Sequence, residues 1–336
     1  MAMVLATALT SRSFHAMIRT MNQENEINRT VEFLESDRTI RALAADAYWP
    51  KWDGPWWQML LLHEMGETQR IPERAIDAMV EKVSQYPVKF FPFRESELPP
   101  GVDARRDTPC HCQLGNLYQV LAARGVDVDR ELPWIRPWFM KYQMADGGLT
   151  CDNEAYLVED EVPSSMVGTI AVFEAVLLYT PREWTIEEKA FLESGAKFLL
   201  GRRLVDGSPT RHNSSERESA SKWKDLCFPR FYFYDVLRGL SALAIWAEKT
   251  GSRIPREAVT DAMAAIESKF PDGEVRIGRR AFEGTRTIAP DASGEWQRAD
   301  AVTPPLLESV SQVGALSPFL SRQWRETRER LSEHIS

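Results

Sequence analysis

Residues 234–270, YDVLRGLSALAIWAEKTGSRIPREAVTDAMAAIESKF, form one complete copy of the pattern that decides the fold. An almost entirely apolar stretch ends at Gly251, and Pro255 opens a second stretch whose apolar residues recur every three to four positions. A glycine just after one helix and a proline at the start of the next are typical helix boundaries. The sequence therefore predicts two consecutive helices, the first buried on all sides and the second with one solvent-facing side.

The same pattern of paired helices occurs three more times before this copy. The copies span residues 56–83, 114–143 and 165–200. The break between the two helices contains a Gly or Pro in each copy, and in the third copy Thr185 and Glu188 predict a capping box. Residues 27–47 and 304–333 are expected to add one helix pair at each end of the series.

A series of helix pairs predicts an all-α architecture. The first helices are apolar all round and should form an inner ring, while the amphipathic second helices should form an outer ring. We therefore expect a single (α/α) toroid of about five or six helical hairpins over residues 27–336, preceded by an N-terminal extension, residues 1–26. A short β-hairpin within residues 274–297 is the one segment with a strand signal.

The composition disfavours several classes of protein. With 43% hydrophobic and 27% charged residues, the chain is expected to be globular with a sizeable core. A formal net charge of -8, without basic clusters, argues against a nucleic-acid partner. The apolar run at residues 1–10 lacks a leading basic residue and is too short to cross a bilayer, so we expect neither a secretory signal nor a transmembrane segment. Four cysteines are too few for a disulfide scaffold, which favours a reducing, cytoplasmic location.

Several motifs resemble those of one superfamily of helical toroids. QMADGGLTCDNE (143–154) resembles the Gln…Asp-Gly-Gly-Trp repeat of squalene-hopene cyclases and protein prenyltransferases, with Leu149 in place of the Trp. More closely, WDGPWWQMLLLHEMG, CHCQLGNLYQVL, QMADGGLTCD and FPRFYFYDVLRGL, in that order, resemble an uncharacterised bacterial group of prenyltransferase-like proteins. The resemblance covers about residues 48–300 and implies the α/α toroid of the terpenoid cyclase and protein prenyltransferase superfamily.

The catalytic motifs of these families do not carry over to this sequence. The nearest acidic cluster, Glu159-Asp160-Glu161, lacks the Asp-x-Asp-Asp pattern of class II cyclases. The zinc-binding Asp-x-Cys pair of prenyltransferase β subunits is missing, and Cys112 stands where lanthionine cyclases have the glycine of their Cys-His-Gly motif. The resemblance therefore implies the fold and assigns no catalytic residue.

Topology predicts where the chemistry-bearing side chains gather. In a ring of hairpins, the starts of the inner helices and the ends of the outer helices lie on the same side, which we call the loop rim. The candidate catalytic residues on this rim are Asp235, Tyr232, His111 and Glu161. The candidate substrate-binding residues on or next to it are Trp52, Asp53, Trp56, Trp57, Asn116, Asp152, Ser164, Arg230 and Tyr234.

Each of these assignments has a structural alternative. Tyr232 and Asp235 would act as proton donor and general base, but Asp235 and Arg238 are also spaced for an ion pair within a helix. Ser164 and Ser165 follow Pro163, as helix-capping residues do. The three tryptophans at 52, 56 and 57 either form a pocket wall or pack the first inner helix.

The four cysteines also fall on the predicted loop rim. A Cys110-x-Cys112 spacing is tighter than the usual zinc-binding Cys-x-x-Cys, and in a helix His111 would point about 100° away from each neighbour. We predict no cofactor, with a zinc site formed by Cys112, His111, Cys151 and Cys227 as the alternative. The open question is whether these side chains converge or are separate buried thiols.

Three hypotheses for function follow. The first is an enzyme acting on an apolar, isoprenoid-like small molecule in a central, aromatic-lined cavity that opens on the loop rim. The second is a noncatalytic toroid that binds a small molecule or a protein. The third is a carbohydrate-active enzyme with two carboxylates drawn from Asp53, Asp152, Glu161 and Asp235.

Overall fold

The computed structural model describes the backbone of residues 11–336 and the side chains from residue 22 onward. The apolar run at residues 1–10 lies outside the described residues. The described chain is helix-rich, with fourteen α-helices and one two-stranded antiparallel sheet. The helices are α1 (Ser11–Glu35), α2 (Asp37–Ala45), α3 (Pro55–Glu64), α4 (Glu73–Ser84), α5 (His111–Ala123), α6 (Val128–Glu131), α7 (Ile135–Lys141), α8 (Met166–Tyr179), α9 (Ile186–Gly201), α10 (Ser214–Ser219), α11 (Val236–Thr250), α12 (Arg256–Glu267), α13 (Pro305–Val310) and α14 (Pro318–His334). The strands are β1 (Arg286–Pro290) and β2 (Trp296–Asp300).

The predicted helix pairs correspond to observed helices. The four copies give α3 with α4, α5 with α6 and α7, α8 with α9, and α11 with α12. The second helix of the second copy is split around Pro133, because proline has no amide hydrogen to continue the ladder. Thr185 and Glu188 form the predicted capping box at the start of α9. Gly251 ends α11 in the left-handed conformation, with φ of 69°.

Two boundaries differ from the sequence analysis. The boundary expected after residue 26 falls inside α1, which runs without a break from Ser11 to Glu35. The β-hairpin lies at residues 286–300, further along the chain than expected, and pairs Arg286 with Asp300 at its open end. Periodicity locates an element better than it locates the ends of that element.

Burial distinguishes the two kinds of helix as expected. Residues 111–121 of α5 are buried without interruption, and so are residues 168–173 of α8. The charged face of α12 is exposed instead, for example at Glu257 and Thr260. Within the part of the chain that the structure describes, no helix is long and apolar enough to cross a membrane.

The buried helices pack against one another in chain order. Helix α3 contacts α5, α5 contacts α8, α8 contacts α11, and α11 contacts α14. Phe228, before α11, stacks on Phe319 at the start of α14 with ring centroids 4.5 Å apart. Ile254, after α11, pairs with Ile335 after α14. Helices α11 and α14 therefore start on the same side and run parallel.

Helices α5 and α8 approach each other closely at Gly115. A Cβ atom at this position of α5 would lie 2.6 Å from the carbonyl carbon of Ala171 and 2.6 Å from the nitrogen of Val172, both in the backbone of α8. A side chain at position 115 would force these two helices apart. Glycine is therefore required there for packing.

We predict that Gly115→Ala lowers the free energy of unfolding by about 1–3 kcal/mol, the usual cost of overpacking a core. Gly201→Ala is the matched control, because it also lies in a helix but a Cβ there would meet no atom within 4 Å. The control should be neutral or slightly stabilising, since alanine favours helix by up to about 1 kcal/mol. Urea unfolding of both variants measures the difference, and equal stabilities would contradict the account of the α5–α8 contact.

Candidate functional site

Three cysteine side chains meet at the start of α5. The Sγ atoms of Cys110, Cys112 and Cys151 all lie within 4.8 Å of one another, and we call these three residues the sulfur cluster. The Sγ atoms of Cys110 and Cys112 are 3.2 Å apart. The backbone N–H of Cys112 donates to Sγ of Cys151 over 3.4 Å. These three residues could hold a metal ion.

The backbone at the start of α5 explains why Cys110 and Cys112 face the same point. Cys110 is the N-cap of the helix and has extended dihedral angles, φ of -101° and ψ of 168°. Its side chain therefore does not follow the helical spacing that separates neighbouring residues by 100°. Cys112 lies in the first turn, and the two sulfurs come together while His111 between them points elsewhere.

His111 brings Cys151 to the cluster. It is fully buried, and its Nδ1–H donates to the carbonyl of Thr150 over 2.6 Å. This bond fixes the residue next to Cys151 against the start of α5. The ring is surrounded by aromatic side chains, and burial lowers the pKa of His111 to about 4. His111 is therefore neutral at physiological pH.

The expectation of His111 as a metal ligand is corrected by this geometry. Its Nε2 is buried and has no hydrogen-bond partner among the side chains and backbone that the structure describes. It does not join the group of ligand atoms around the three sulfurs. His111 positions Cys151 through the Thr150 carbonyl.

Cys227 is also separate from the sulfur cluster, which corrects the second part of the predicted zinc set. It is fully buried, and its Sγ lies 3.7 Å from Oδ2 of Asp235. Burial raises the pKa of the Cys227 thiol to about 12. This cysteine therefore remains a thiol inside the core.

The electrostatics of the cluster favour one thiolate at Cys110. Hydrogen bonds from the Cys112 and Cys151 thiols hold the pKa of Cys110 well below its usual range, and the backbone N–H of Gln113 adds to this effect against the cost of burial. The pKa of Cys112 and that of Cys151 are correspondingly raised. The start of a helix also favours a negative charge.

Lys51 supplies a positive charge beside the cluster. Its Nζ donates to the hydroxyl of Tyr232 over 3.1 Å and lies 4.9 Å from the centroid of that ring. The rings of Trp49 and Trp52 are 5.2 and 5.7 Å from the same nitrogen. Burial lowers the pKa of Lys51, and the nearby Cys112 and Cys110 sulfurs oppose that shift. The lysine therefore places a cation among aromatic rings next to the thiols.

A cleft of about 470 Å³ opens onto the sulfur cluster, and we call it the thiol cleft. Cys110 and Cys151 are on its wall, and both are partly exposed. Tyr48, Trp49 and Phe91 supply aromatic surface. The exposed Arg94 and Arg105 also line it. Glu95 lines it as well, so the cleft combines thiols and aromatic surface with two positive charges and one negative charge.

Asp235 and Arg230, proposed from sequence as catalytic and substrate-binding residues, form a buried ion pair. Nε of Arg230 donates to Oδ2 of Asp235 over 2.8 Å, and the carboxylate also accepts the backbone N–H groups of Cys227 and Arg238. Burial alone would raise the pKa of Asp235, but Arg230 and these hydrogen bonds lower it. The i,i+3 ion pair expected between Asp235 and Arg238 is replaced by an N-cap, because Asp235 lies just before α11.

Glu161, the other acidic candidate for catalysis, stabilises a loop. Its carboxylate accepts the backbone N–H groups of Arg211 and His212 over 2.9 and 2.7 Å, and these hydrogen bonds lower its pKa. Asp152 accepts a bond from Nε2 of His212 over 2.7 Å.

Two further candidates from the predicted binding set lie apart from the thiol cleft. Ser164 is buried and donates to Asp146 over 2.6 Å, while the adjacent Ser165 is the N-cap of α8. Asp53 is half-buried, and burial raises its pKa. Neither Asp53 nor Ser164 is among the residues that line the cleft.

The predicted tryptophan wall is core packing. Trp52, Trp56 and Trp57 are only 1, 2 and 1% exposed, and none of them lines the thiol cleft. Trp52 stacks on Phe231 with ring centroids 4.9 Å apart, and both residues have positive φ, 72° and 54°. Such angles are strained for residues other than glycine, so the surrounding packing must hold this contact.

The two tyrosines that follow Phe231 differ in exposure. Tyr232 is half-buried, accepts the hydrogen bond from Lys51, and has a pKa raised by burial. Tyr234 is buried and donates to the carbonyl of Leu204 over 3.0 Å. Tyr232 therefore remains next to the sulfur cluster, whereas Tyr234 fixes a loop.

Asn116 connects the sulfur cluster to a second, interior cavity. Its Nδ2 donates to the carbonyl of Cys112 over 2.9 Å, and its Oδ1 accepts from Nη2 of Arg238 over 3.3 Å. This cavity lies between the buried helices, and charged residues dominate its polar lining. Phe228, Phe231 and Phe319 are its aromatic members, beside the charged groups that the sequence analysis does not predict.

Sequence reasoning missed Cys110 and Lys51 as members of the site. Helical spacing excludes Cys110 from the predicted zinc site, but Cys110 lies just outside the helix, where that spacing does not hold. A signal was present, since an N-cap cysteine followed by a second one in the first turn can direct both sulfurs to one point. Comparison of the chain with protein-family models, with curated proteins and with solved structures finds no match.

We predict that Cys110 of the reduced, metal-free chain is alkylated at lower pH than an ordinary thiol. Its lowered pKa means that the thiolate persists as the pH falls, until the pH passes below that pKa. Cys112→Ala removes a hydrogen-bond donor and should move the midpoint of the pH–rate profile upward. The measurement is peptide-resolved mass spectrometry after iodoacetamide treatment.

Cys227→Ala is the control, because it removes a buried sulfur outside the cluster and should leave the Cys110 profile unchanged. A midpoint for Cys110 at or above the ~8.5 of a free cysteine would contradict the assignment.

Proposed function

We propose that the helix pairs close into an (α/α) toroid of the terpenoid cyclase and prenyltransferase type. The support is the order of helix contacts, which runs from α3 through α5, α8 and α11 to α14. Residues from all five of these helices line the interior cavity. In this arrangement the sulfur cluster lies at the start of an inner helix, on the loop rim.

We further propose that the chain is a zinc-dependent enzyme whose metal is held by Cys110, Cys112 and Cys151. The observation that supports this most directly is the convergence of three thiols beside a cleft. Among the side chains from residue 22 onward, no fourth His, Cys, Asp or Glu joins them. Three protein ligands with one free position are typical of catalytic zinc, whereas structural zinc has four.

The spacing of the sulfurs fits a zinc ion. A Zn–S distance of ~2.3 Å and tetrahedral angles require sulfurs about 3.8 Å apart. The three sulfurs lie within 4.8 Å of one another, with Cys110 and Cys112 at 3.2 Å. Only a small opening of that pair is needed to admit the ion.

The charges around the sulfur cluster also fit a bound zinc ion. A zinc ion with three thiolates carries one net negative charge. The ammonium of Lys51 and the N-terminus of α5 offset it, and the N–H of Cys112 donates to the sulfur of Cys151. Such hydrogen bonds to ligand atoms orient the ligands and stabilise the thiolate form.

The chemistry at such a site is set by its fourth position. A zinc ion bound there would act as a Lewis acid and lower the pKa of a bound water or thiol. The protein residues hold the sulfurs, provide the offsetting cation and enclose the reacting molecule in the thiol cleft. We therefore propose activation of a water or thiol nucleophile as the reaction type.

The lining of the thiol cleft supports an apolar substrate with an anionic group. Tyr48, Trp49 and Phe91 offer aromatic faces to an isoprenoid-like chain, and Arg94 and Arg105 lie where an anionic end would bind. A noncatalytic binding protein would use the same cleft without turnover. We place the enzyme first because binding alone does not require three converging thiols, two of them at the wall of the cleft.

The carbohydrate-active alternative has less support. It needs two free carboxylates on opposite sides of a sugar. Of its four candidates, Asp235 is buried in an ion pair, Glu161 accepts two backbone N–H groups, and Asp152 bonds to His212. These three carboxylates therefore stabilise loops and the start of α11.

We predict about one zinc ion per chain when the protein is purified with a reductant and measured by elemental analysis. Cys112→Ser should lose the metal, and Cys110→Ser and Cys151→Ser should bind it much more weakly, because two thiolates cannot complete the site. Cys227→Ser is the matched control and should keep full metal content. Circular dichroism of each variant checks that the chain is folded.

Cobalt substitution tests whether the fourth position is open. The cobalt-loaded chain should show the visible bands of a tetrahedral thiolate site, and added mercaptoethanol should shift them by binding at that position. A metal-free chain under reducing conditions, or a Cys112→Ser variant with unchanged metal content, would refute the proposal. A spectrum that does not respond to added thiol would indicate a structural site instead.

A further inference from the structure

The interior cavity has a volume of about 280 Å³ and is distinct from the thiol cleft. We call it the inner cavity. It is bounded by α3, α5, α8, α11 and α14 and by the loop before α11. Its volume is just below the ~300–1,000 Å³ of typical ligand pockets, so an occupant would be a small molecule.

Arg230 presents an unpaired donor in the wall of this cavity. The residue is only 7% exposed, and its Nε and Nη1 donate to Asp235 and to Gln323, each over 2.8 Å. Its Nη2 is buried without a hydrogen-bond partner in the described part of the chain. A buried, unpaired guanidinium donor costs free energy, which an acceptor on a ligand would recover.

Of the half-buried carboxylates that line the cavity, Glu64 is the one without an arginine partner in the described part of the chain. Nη2 of Arg238 donates to Oε2 of Glu174 over 2.6 Å, and Arg230 pairs with Asp235, which lies outside the cavity lining. Glu64 has no arginine side chain of its own. Its oxygens accept the backbone N–H groups of Arg230 and Phe231 over 2.7 and 2.5 Å, which leaves further lone pairs free.

A second pair of opposite charges lies at the exposed side of the cavity. Arg322 and Glu326 of α14 both line it, and both are exposed. The inner cavity therefore offers guanidinium donors at Arg230 and Arg322 and carboxylate acceptors at Glu64 and Glu326. Both signs of charge occur within a space that admits only a small molecule.

We propose that the inner cavity binds a small zwitterion of the amino-acid kind. The carboxylate of the ligand bonds to the guanidinium groups of Arg230 and Arg322, and its ammonium bonds to Glu64 and Glu326. This site lies beyond the proposed metal function and requires no metal. Asn116 lies between the two sites, because it bonds to both Cys112 and Arg238.

The charged groups of the inner cavity favour a zwitterion over a dianion, a cation or an apolar ligand. A dianion would meet Glu64 and Glu174 with repulsion, and a free cation would leave the Arg230 donor unpaired. An apolar chain would leave Nη2 of Arg230 without a partner and would desolvate the charged groups around it. A molecule with one acceptor end and one ammonium end satisfies both sets of groups.

The test is calorimetric titration of the full chain with each of the standard amino acids at millimolar concentration. At least one should bind with one-to-one stoichiometry. Its N-acetyl derivative, which has no ammonium, and its amide, which has no carboxylate, should each bind about tenfold more weakly or worse, the effect of losing one charge-assisted hydrogen bond.

Arg322→Ala is the informative variant, because the residue is exposed and its loss does not disturb the core. It should weaken binding about tenfold. Arg325→Ala is the matched control, an exposed arginine of the same helix that does not line the inner cavity, and it should bind like the unchanged chain. Cys112→Ser should bind like the unchanged chain as well, which separates this site from the metal site.

Three outcomes would overturn the proposal. The first is the failure of every amino acid to bind. The second is binding of the N-acetyl or amide derivative as tight as that of its parent. The third is an Arg322→Ala variant that binds with unchanged affinity.

Discussion

The hydrogen bond from His111 to the carbonyl of Thr150 links the two segments on which the sulfur cluster depends. His111 is the first residue of α5, and Thr150 directly precedes Cys151. Because the ring is fully buried and neutral, this bond is protected from water. The close contact of α5 with α8 at Gly115 holds the same helix about one turn further along. Together they place three sulfurs from two distant segments at one point.

Different charged side chains surround the sulfur cluster and the inner cavity. Lys51 and the start of α5 make the surroundings of the sulfur cluster positive, which suits thiolates. The inner cavity instead is lined by both signs of charge, Arg230 and Arg238 beside Glu174 and Glu64. Asn116 is the hydrogen-bonding contact between the two. A single helix-rich fold can thus present two kinds of chemistry a short distance apart.

Much of the fold follows from the sequence, because helix periodicity and boundary residues such as Gly251 and Pro255 are local signals. The candidate site was harder to predict. Its members depend on dihedral angles at single residues, such as the extended backbone of Cys110, and on which partner a buried group finds. Asp235 and the tryptophans 52, 56 and 57 match catalytic or binding residue types, yet packing and capping account for them. Hydrophobic periodicity does not indicate the dihedral angles of a single residue or the hydrogen-bond partner of a buried group.

The most direct test of the central claim is X-ray absorption at the zinc edge of the zinc-loaded, reduced chain. We predict three sulfur ligands at about 2.3 Å and one lighter ligand at about 2.0 Å, the pattern of a three-cysteine site with an open position. Four sulfur ligands, or a shell of nitrogen and oxygen without sulfur, would contradict the assignment of Cys110, Cys112 and Cys151 as a catalytic metal site.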